Sequence, residues 1–246
     1  MQQGQTHYYF MKHTIYNGTE RGLKDIGWLK SNFNFSFSNY ANPTKNGFGL
    51  LKVFNDDFVE AGKGFGLHAH HNMEIISVLL NGKMNHKNSM GYTEIVEKDW
   101  VQIMSAGSGL KHEEYNVGED EVNFLQIWIE PKLQNVYPRY QRRNFPQQKR
   151  INKLQTIVSN EEGLEHCWIN QNAKLSLGYF TEKTELVYTL NPTNKCVFVF
   201  VLEGKINACG DDIHKRDGMG IWETDTINLH IEQGTEFIVI EIPINH

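Results

Sequence analysis

Residues 62–74 read GKGFGLHAHHNME. Three histidines, His68, His70 and His71, crowd into four positions, and Glu74 follows three residues after the last. Two readings of this stretch diverge: a polar turn rich in histidine, or a strand that presents a metal site. On a strand, residues i and i+2 point to one face, so His68 and His70 share a face and His71 takes the other. Two imidazoles on one inward face can share a metal ion.

A second pair repeats the spacing. In QIMSAGSGLKHEEYN (102–116), His112 and Glu114 are also two apart, and a Gly-rich turn precedes them. Two strands with two donors each supply three nitrogens and a carboxylate. That set suits a first-row transition metal and leaves positions open for water or substrate.

The surroundings of both pairs are β-like. Short apolar runs alternate with turn residues: FGLLKVF (48–54), EIISVLL, TEIVE, WVQIM and VNFLQIWI (122–129) in the first half. LSLGYF (175–180), CVFVFVL, KINAC, TINLHI and EFIVIEI (236–242) follow in the second. Long amphipathic helical periods are scarce, and turn signals recur every ~8–12 residues, as in a β-sandwich or barrel. With 14 Phe, 10 Tyr and 5 Trp in 246 residues, a sizeable core is available.

The net charge of −5 provides no electrostatic footprint for nucleic acid and no attraction to an anionic membrane. Three cysteines, Cys167, Cys196 and Cys209, are odd in number and lack CxxC spacing. They fit a reducing compartment better than a disulfide framework or a zinc ribbon. No secretory segment opens the chain and no apolar run approaches ~18 residues, so a cytoplasmic protein without a membrane partner is expected. The polar opening MQQGQTHYYF (1–10) is assigned no part in the fold, and Met11 offers an alternative start.

The two halves repeat each other. VLLNGKMN (78–85) aligns with FVLEGKIN (200–207), and KDWVQIM (98–104) with RDGMGIW (216–222). Asp99 precedes His112 by 13 residues, and Asp217 precedes His230 by 13, so His230 and Glu232 stand as counterparts of His112 and Glu114. Counting back from Gly204 puts Leu190 and Pro192 where the first pair belongs, and the second half therefore lacks a full donor set. The crossing PKLQNVYPRYQRRNFPQQKR (131–150) separates the halves. Its cluster of Arg139, Arg142, Arg143, Lys149 and Arg150 reads as a solvated interdomain segment. The expected division is 11–135 for a metal-binding domain and 136–246 for a degenerate one.

Gly62, five residues, His68-x-His70 and a strand ending at Gly82 resemble the first cupin motif. Gly109-x-x-His112-x-x-x-Asn116 resembles the second, with Gly107 where proline is usual. In the germin-like version a ligand glutamate lies five residues after the second histidine; here that place holds Ile75, and Glu74 precedes it. A one-residue slip on a strand reverses the face. Glu74 is therefore expected behind the ligands as a hydrogen-bond partner, and Glu114 takes the fourth place. The implied fold is all-β: two tandem cupin (double-stranded β-helix, jelly-roll) domains, the second degenerate.

GWLKSNFNFSFSNY (27–40), GFGLHAHHNMEI (64–75), GKMNHKNSMG (82–91), QIMSAGSGLKHEEYN (102–116) and QIWIEP (126–131) together resemble the pirin family. The likeness is to its bacterial members described as quercetin 2,3-dioxygenases, and it spans nearly the whole chain, most strongly in the first half. It implies ligands at His68, His70, His112 and Glu114, the four that strand parity selects. It implies one mononuclear divalent metal, Fe2+ first, with Cu2+, Ni2+, Mn2+, Co2+ and Zn2+ as alternatives. The implied activity opens the heterocycle of flavonols such as quercetin with O2 and releases carbon monoxide, with Glu114 as general base. The partners are then a small aromatic substrate and O2. A different class is a non-enzymatic, iron-binding, redox-responsive regulator acting through a protein partner. A sugar isomerase or epimerase would need a polar pocket with a Lys or His base beside the metal. Ala69 replaces a proline common in the family, and Phe33 a histidine of close relatives; neither change removes a ligand. Of the remaining groups, His86 is expected at a solvent-facing rim, and Met84, Met104 and Trp128 in the core.

Overall fold

The computed structural model describes residues 12–244. In the first half a seven-stranded sheet runs, edge to edge, Arg139–Asn144, Trp100–Ser105, Glu74–Asn81, Val122–Ile129, Leu51–Val59, Leu29–Phe33 and Gly22–Asp25. A four-stranded sheet faces it, in the order Gly64–His70, Leu110–Asn116, Lys83–Asn88 and Thr93–Glu97. The second half repeats the plan. Its seven strands are Lys12–Tyr16, Gly218–Trp222, Cys196–Glu203, Thr235–Ile242, Lys174–Phe180, Leu154–Ser159 and Cys167–Trp168. Its four are Thr184–Thr189, Thr226–Ile231, Lys205–Ala208 and Asp211–His214. The chain is thus the all-β, two-cupin architecture expected from the repeat. No helix of the described residues is long and apolar enough to cross a membrane.

The near-continuous apolar runs VNFLQIWI and CVFVFVLE follow from position. Both strands lie inside large sheets covered on two faces, where alternation disappears. One face of each large sheet packs on the other: Phe54, Ile76 and Leu125 meet Leu175, Phe198 and Ile240 in a shared core. The opposite face looks into its own barrel.

Strand pairing crosses the expected division in both directions. Lys12–Tyr16 pairs with Gly218–Trp222, and Arg139–Asn144 pairs with Trp100–Ser105. The basic cluster is solvated only in part: Arg139 and Lys149 are exposed, Arg142 and Arg143 half-buried and Arg150 buried. Arg139 lies 4.3 Å over the Trp168 ring and Arg142 4.5 Å over Trp100. Arg150 is buried, ion-paired to Asp99 at 2.8 Å and Glu236 at 2.9 Å. Arg139 and Arg150 tie the halves together through an aromatic face and two carboxylates, whereas Arg142 packs within the first barrel.

Candidate metal centre

Gly64–His70 and Leu110–Asn116 are antiparallel neighbours, with His112 opposite His68. Gly64 permits their close approach: a Cβ there would lie 2.1 Å from the carbonyl oxygen of Glu114. The Nε2 atoms of His70 and His112 are 3.0 Å apart. Ring centroids lie 4.8 Å apart for His68 and His70, and 4.3 Å for His68 and His112. One donor atom from each of His68, His70 and His112 falls within 4.8 Å of the others. His86, His112 and Glu114 meet the same limit, so His112 joins the two groups.

Surrounding bonds set which atoms point inward. The Nδ1 of His68 donates to the Gly66 carbonyl at 2.8 Å, leaving the Nε2 lone pair free. The Oδ1 of Asn88 accepts from the Met90 and Tyr92 amides, so its amide nitrogen donates to His86 Nε2 at 3.0 Å. His86 then carries its proton on Nδ1, which faces Glu114 Oε1 at 3.5 Å, too long for a well-formed hydrogen bond. The same Glu114 oxygen accepts from Gln102 Nε2, and Gln102 Oε1 accepts from Tyr140 OH at 3.1 Å.

Electrostatics favour metal binding. Burial first, and neighbouring His68 second, push the His70 pKa down to about 4. Burial does the same at His112, bringing it to about 4. Both imidazoles are therefore neutral at pH 7, the form that ligates. Burial works to raise the Glu114 pKa, but His86, His112 and Gln102 outweigh it and hold the group at about 2. Two neutral Nε2 atoms at hydrogen-bond distance beside a fixed carboxylate form a donor set that a single divalent cation fits.

A cavity of about 490 Å³ opens onto His68, His70 and Glu114. Its walls include Trp28, Phe33, Phe65 and Trp128. Trp128 meets the His70 ring edge-on at 5.0 Å, so it is a pocket wall beside that histidine rather than plain core. Phe33 adds to the aromatic lining. Met84 and Met104 are core residues, as expected.

His86 departs from expectation. It is 1% exposed and stacked on Tyr140, with centroids 4.5 Å apart and planes at 12°. The signal lay in KMNHKN, where Met84, His86 and Asn88 alternate inward; an inward Met84 implies an inward His86 two residues on. Glu74 also differs. It is no partner of the histidines: its carboxylate accepts from Ser105 Oγ at 2.7 Å and from the Asn170 amide of the second half at 3.2 Å. His71 is exposed. His230 and Glu232 face outward, near Glu185 and Lys183. Gln102, Tyr140 and Asp57 had no sequence signal of their own.

Residues 16–129 match the family model described as Pirin, and residues 156–242 match the quercetinase C-terminal cupin domain. A protein of Escherichia coli K12 named quercetin 2,3-dioxygenase is 35% identical over 225 residues, 91% of this chain and 96% of its own. A pirin-like protein of Caulobacter vibrioides is 31% identical over 221 residues, 89% and 95% of the two chains. The structure of the bacterial pirin YhhW from Escherichia coli in complex with nickel(II) is similar with a TM-score of 0.89. It is 33% identical, and the match covers 94% of this chain and 99% of that one.

Proposed function

The chain belongs to the pirin family, and from that premise we propose that it is a metal-dependent dioxygenase opening the heterocycle of flavonols such as quercetin. The carrying observation is an aromatic cavity of about 490 Å³ that opens onto His68, His70 and Glu114, with His112 grouped with His68 and His70 on one side and with Glu114 on the other. That volume suits a drug-sized, flat ligand. The same lining disfavours a sugar isomerase, whose substrate needs polar walls.

In this reading His68, His70 and His112 supply neutral nitrogens and Glu114 a carboxylate. The ion, Fe2+ by preference, would supply Lewis acidity and a site for O2 chemistry. The nickel(II) complex of YhhW supports a divalent ion, and affinity order alone would place Ni2+ and Cu2+ above Fe2+. Glu114 also takes the proton of the flavonol 3-hydroxyl. A carboxylate held at about 2 is a weak base, adequate only for a hydroxyl already acidified by a neighbouring cation. Trp28, Phe65 and Trp128 hold the ring system and exclude water. Gln102 holds the Glu114 carboxylate in place, and His86 Nδ1 faces it.

The test is anaerobic loading with Fe2+, Ni2+, Cu2+, Mn2+ or Co2+, then quercetin and O2 with detection of carbon monoxide. Metal-dependent release that disappears in Glu114→Gln is expected. Bound metal without turnover of any flavonol would overturn the dioxygenase and leave an iron-responsive regulator.

A further inference from the structure

We infer that Asp57, with Asn55 beside it, is the acceptor for a second hydroxyl of the substrate, distinct from the oxygen that meets the metal. The inference rests on the flavonol reading above and adds a recognition site to it. Asn55 and Asp57 are two apart on Leu51–Val59 and share one face. Both line the cavity that reaches His68, His70 and Glu114. They belong to the large sheet, so they sit on the wall facing the ligand strands.

Both residues are buried, Asn55 at 2% and Asp57 at 5% exposure, and the Oδ1 atom of each has no hydrogen-bond partner. Of the other polar groups in this barrel, Ser77, Gln102 and Gln126 bond one another, while Trp128 Nε1, His86 Nδ1 and His112 Nδ1 are unpaired nitrogens. Ser77 Oγ donates to Gln126 Oε1 at 2.8 Å, and Gln102 Nε2 lies 3.2 Å from Ser77 Oγ. Against that background two spare acceptors are conspicuous, because a buried unpaired oxygen is unfavourable until a donor reaches it. Their strand is bonded on both sides, to Leu29–Phe33 and Val122–Ile129, so the acceptors are held rigidly. Burial, chiefly, pushes the Asp57 carboxyl up to about 7, with Ser31 opposing. This is the response of a carboxyl short of donors.

Two acceptors on an aromatic-walled cavity select a flat ligand with a hydroxyl beyond the one that meets the metal. A site built to bond a hydroxyl discriminates against the analogue that lacks it. Asp57 therefore sets specificity among flavonols, while the metal side recognises what they share.

The experiment is calorimetric titration of the nickel-loaded protein, without O2, with 3-hydroxyflavone and with quercetin, which adds hydroxyls at both ends. The wild type should bind quercetin roughly tenfold more tightly or better. Asp57→Leu, which removes both oxygens at similar volume, should bring the two ligands within about twofold, chiefly by weakening quercetin. Metal content and circular dichroism confirm the folded variant, and the wild-type comparison stands without any variant. Equal wild-type affinities, a preference that Asp57→Leu retains, or an equal loss for both ligands would overturn the inference and leave the flavonol reading intact. Absence of metal-dependent binding of either flavonol would overturn both.

Discussion

The strand Leu110–Asn116 of the first barrel buries Leu110, His112 and Glu114, whereas its counterpart Thr226–Ile231 buries Ile227, Leu229 and Ile231 and turns His230 to solvent. The reversal is already present in the preceding strand: Val101 and Ile103 face the shared core, whereas their aligned residues Met219 and Ile221 face the interior of the second barrel. The matched spacing of Asp99 to His112 and Asp217 to His230 therefore hides opposite orientations. The interiors follow suit. The first barrel points Asn55, Asp57, Ser77, Gln102 and Gln126 inward, while the second is filled by Val197, Val199, Met219, Ile221, Phe237 and Val239. Each buried aliphatic or aromatic side chain contributes about 1.5–3 kcal/mol. The filled barrel and the core between the large sheets thus supply the stability that a hollow, polar barrel cannot.

The largest expected effect separates the barrels by metal content. His68→Ala or His112→Ala should lose nearly all bound metal while keeping the β fold, read by metal analysis and circular dichroism. His230→Ala should keep full metal content. Stoichiometric metal in both ligand variants would remove these residues from the donor set, and loss in His230→Ala would undo the assignment of the site to one barrel.

Stability should show the reverse asymmetry. Phe237 lies in the filled interior at 0% exposure, and its aligned partner Phe124 borders the cavity. Phe237→Ala should cost about 3–5 kcal/mol. Phe124→Ala should cost roughly half as much, because one side of the ring already lacks neighbours. Urea melts of the two variants measure the difference; equal losses would mean that the first barrel is packed as tightly as the second.

Much of this contrast was legible in the sequence, and the reasons for the rest are physical. Periodic glycines and apolar runs revealed the duplicated barrels, since alternation and turn chemistry are local. The candidate donors His68, His70, His112 and Glu114 emerged from i, i+2 parity on two strands that the structure pairs. His86 and Tyr140 lie on KMNHKN and RYQRRN, strands too polar to show as apolar runs. Tyr140 reaches the site only because its strand pairs with Trp100–Ser105 from across the expected division. Such a long-range pairing leaves no local trace. Asp57 lay in the acidic pair Asp56–Asp57, whose members face opposite ways. Asp56 bonds Arg21 and Arg216, and Asp57 faces the cavity.

A smaller effect concerns the join between the barrels. Burial, chiefly, raises the Glu74 pKa to about 7, against the bonds from Ser105 and Asn170. The folded state therefore holds a proton that the unfolded state has released, and stability falls as pH rises from about 4.5 to about 7. Glu74→Gln should remove its share of that slope, gaining on the order of 1–3 kcal/mol relative to wild type at pH 8 over pH 5. Asp57 has the same sign, so part of the slope should persist. The aligned residue of the second barrel is the buried Cys196, and Cys196→Ser should leave the slope unchanged. Urea melts at the two pH values test this, and an unaltered slope in Glu74→Gln would show that Glu74 is ionised where it stands.

The smallest effect tests whether a hydroxyl one residue removed from the ligands tunes them. Tyr140 OH donates to Gln102 Oε1, which turns the Gln102 amide nitrogen toward Glu114. Tyr188 holds an analogous bond in the second barrel, donating to Glu241 Oε2 at 2.8 Å, and among the described residues no group of three metal donors includes Glu241. Each Tyr→Phe change should cost about 1 kcal/mol of stability. Only Tyr140→Phe should weaken metal binding, by up to about tenfold, because the freed amide can turn its oxygen toward the carboxylate. Chelator competition on the two variants measures it. Unchanged affinity in Tyr140→Phe would mean that Ser77, the other partner of the Gln102 nitrogen, suffices to orient the amide. A loss in Tyr188→Phe would mean that the filled barrel reaches the metal site through the shared core.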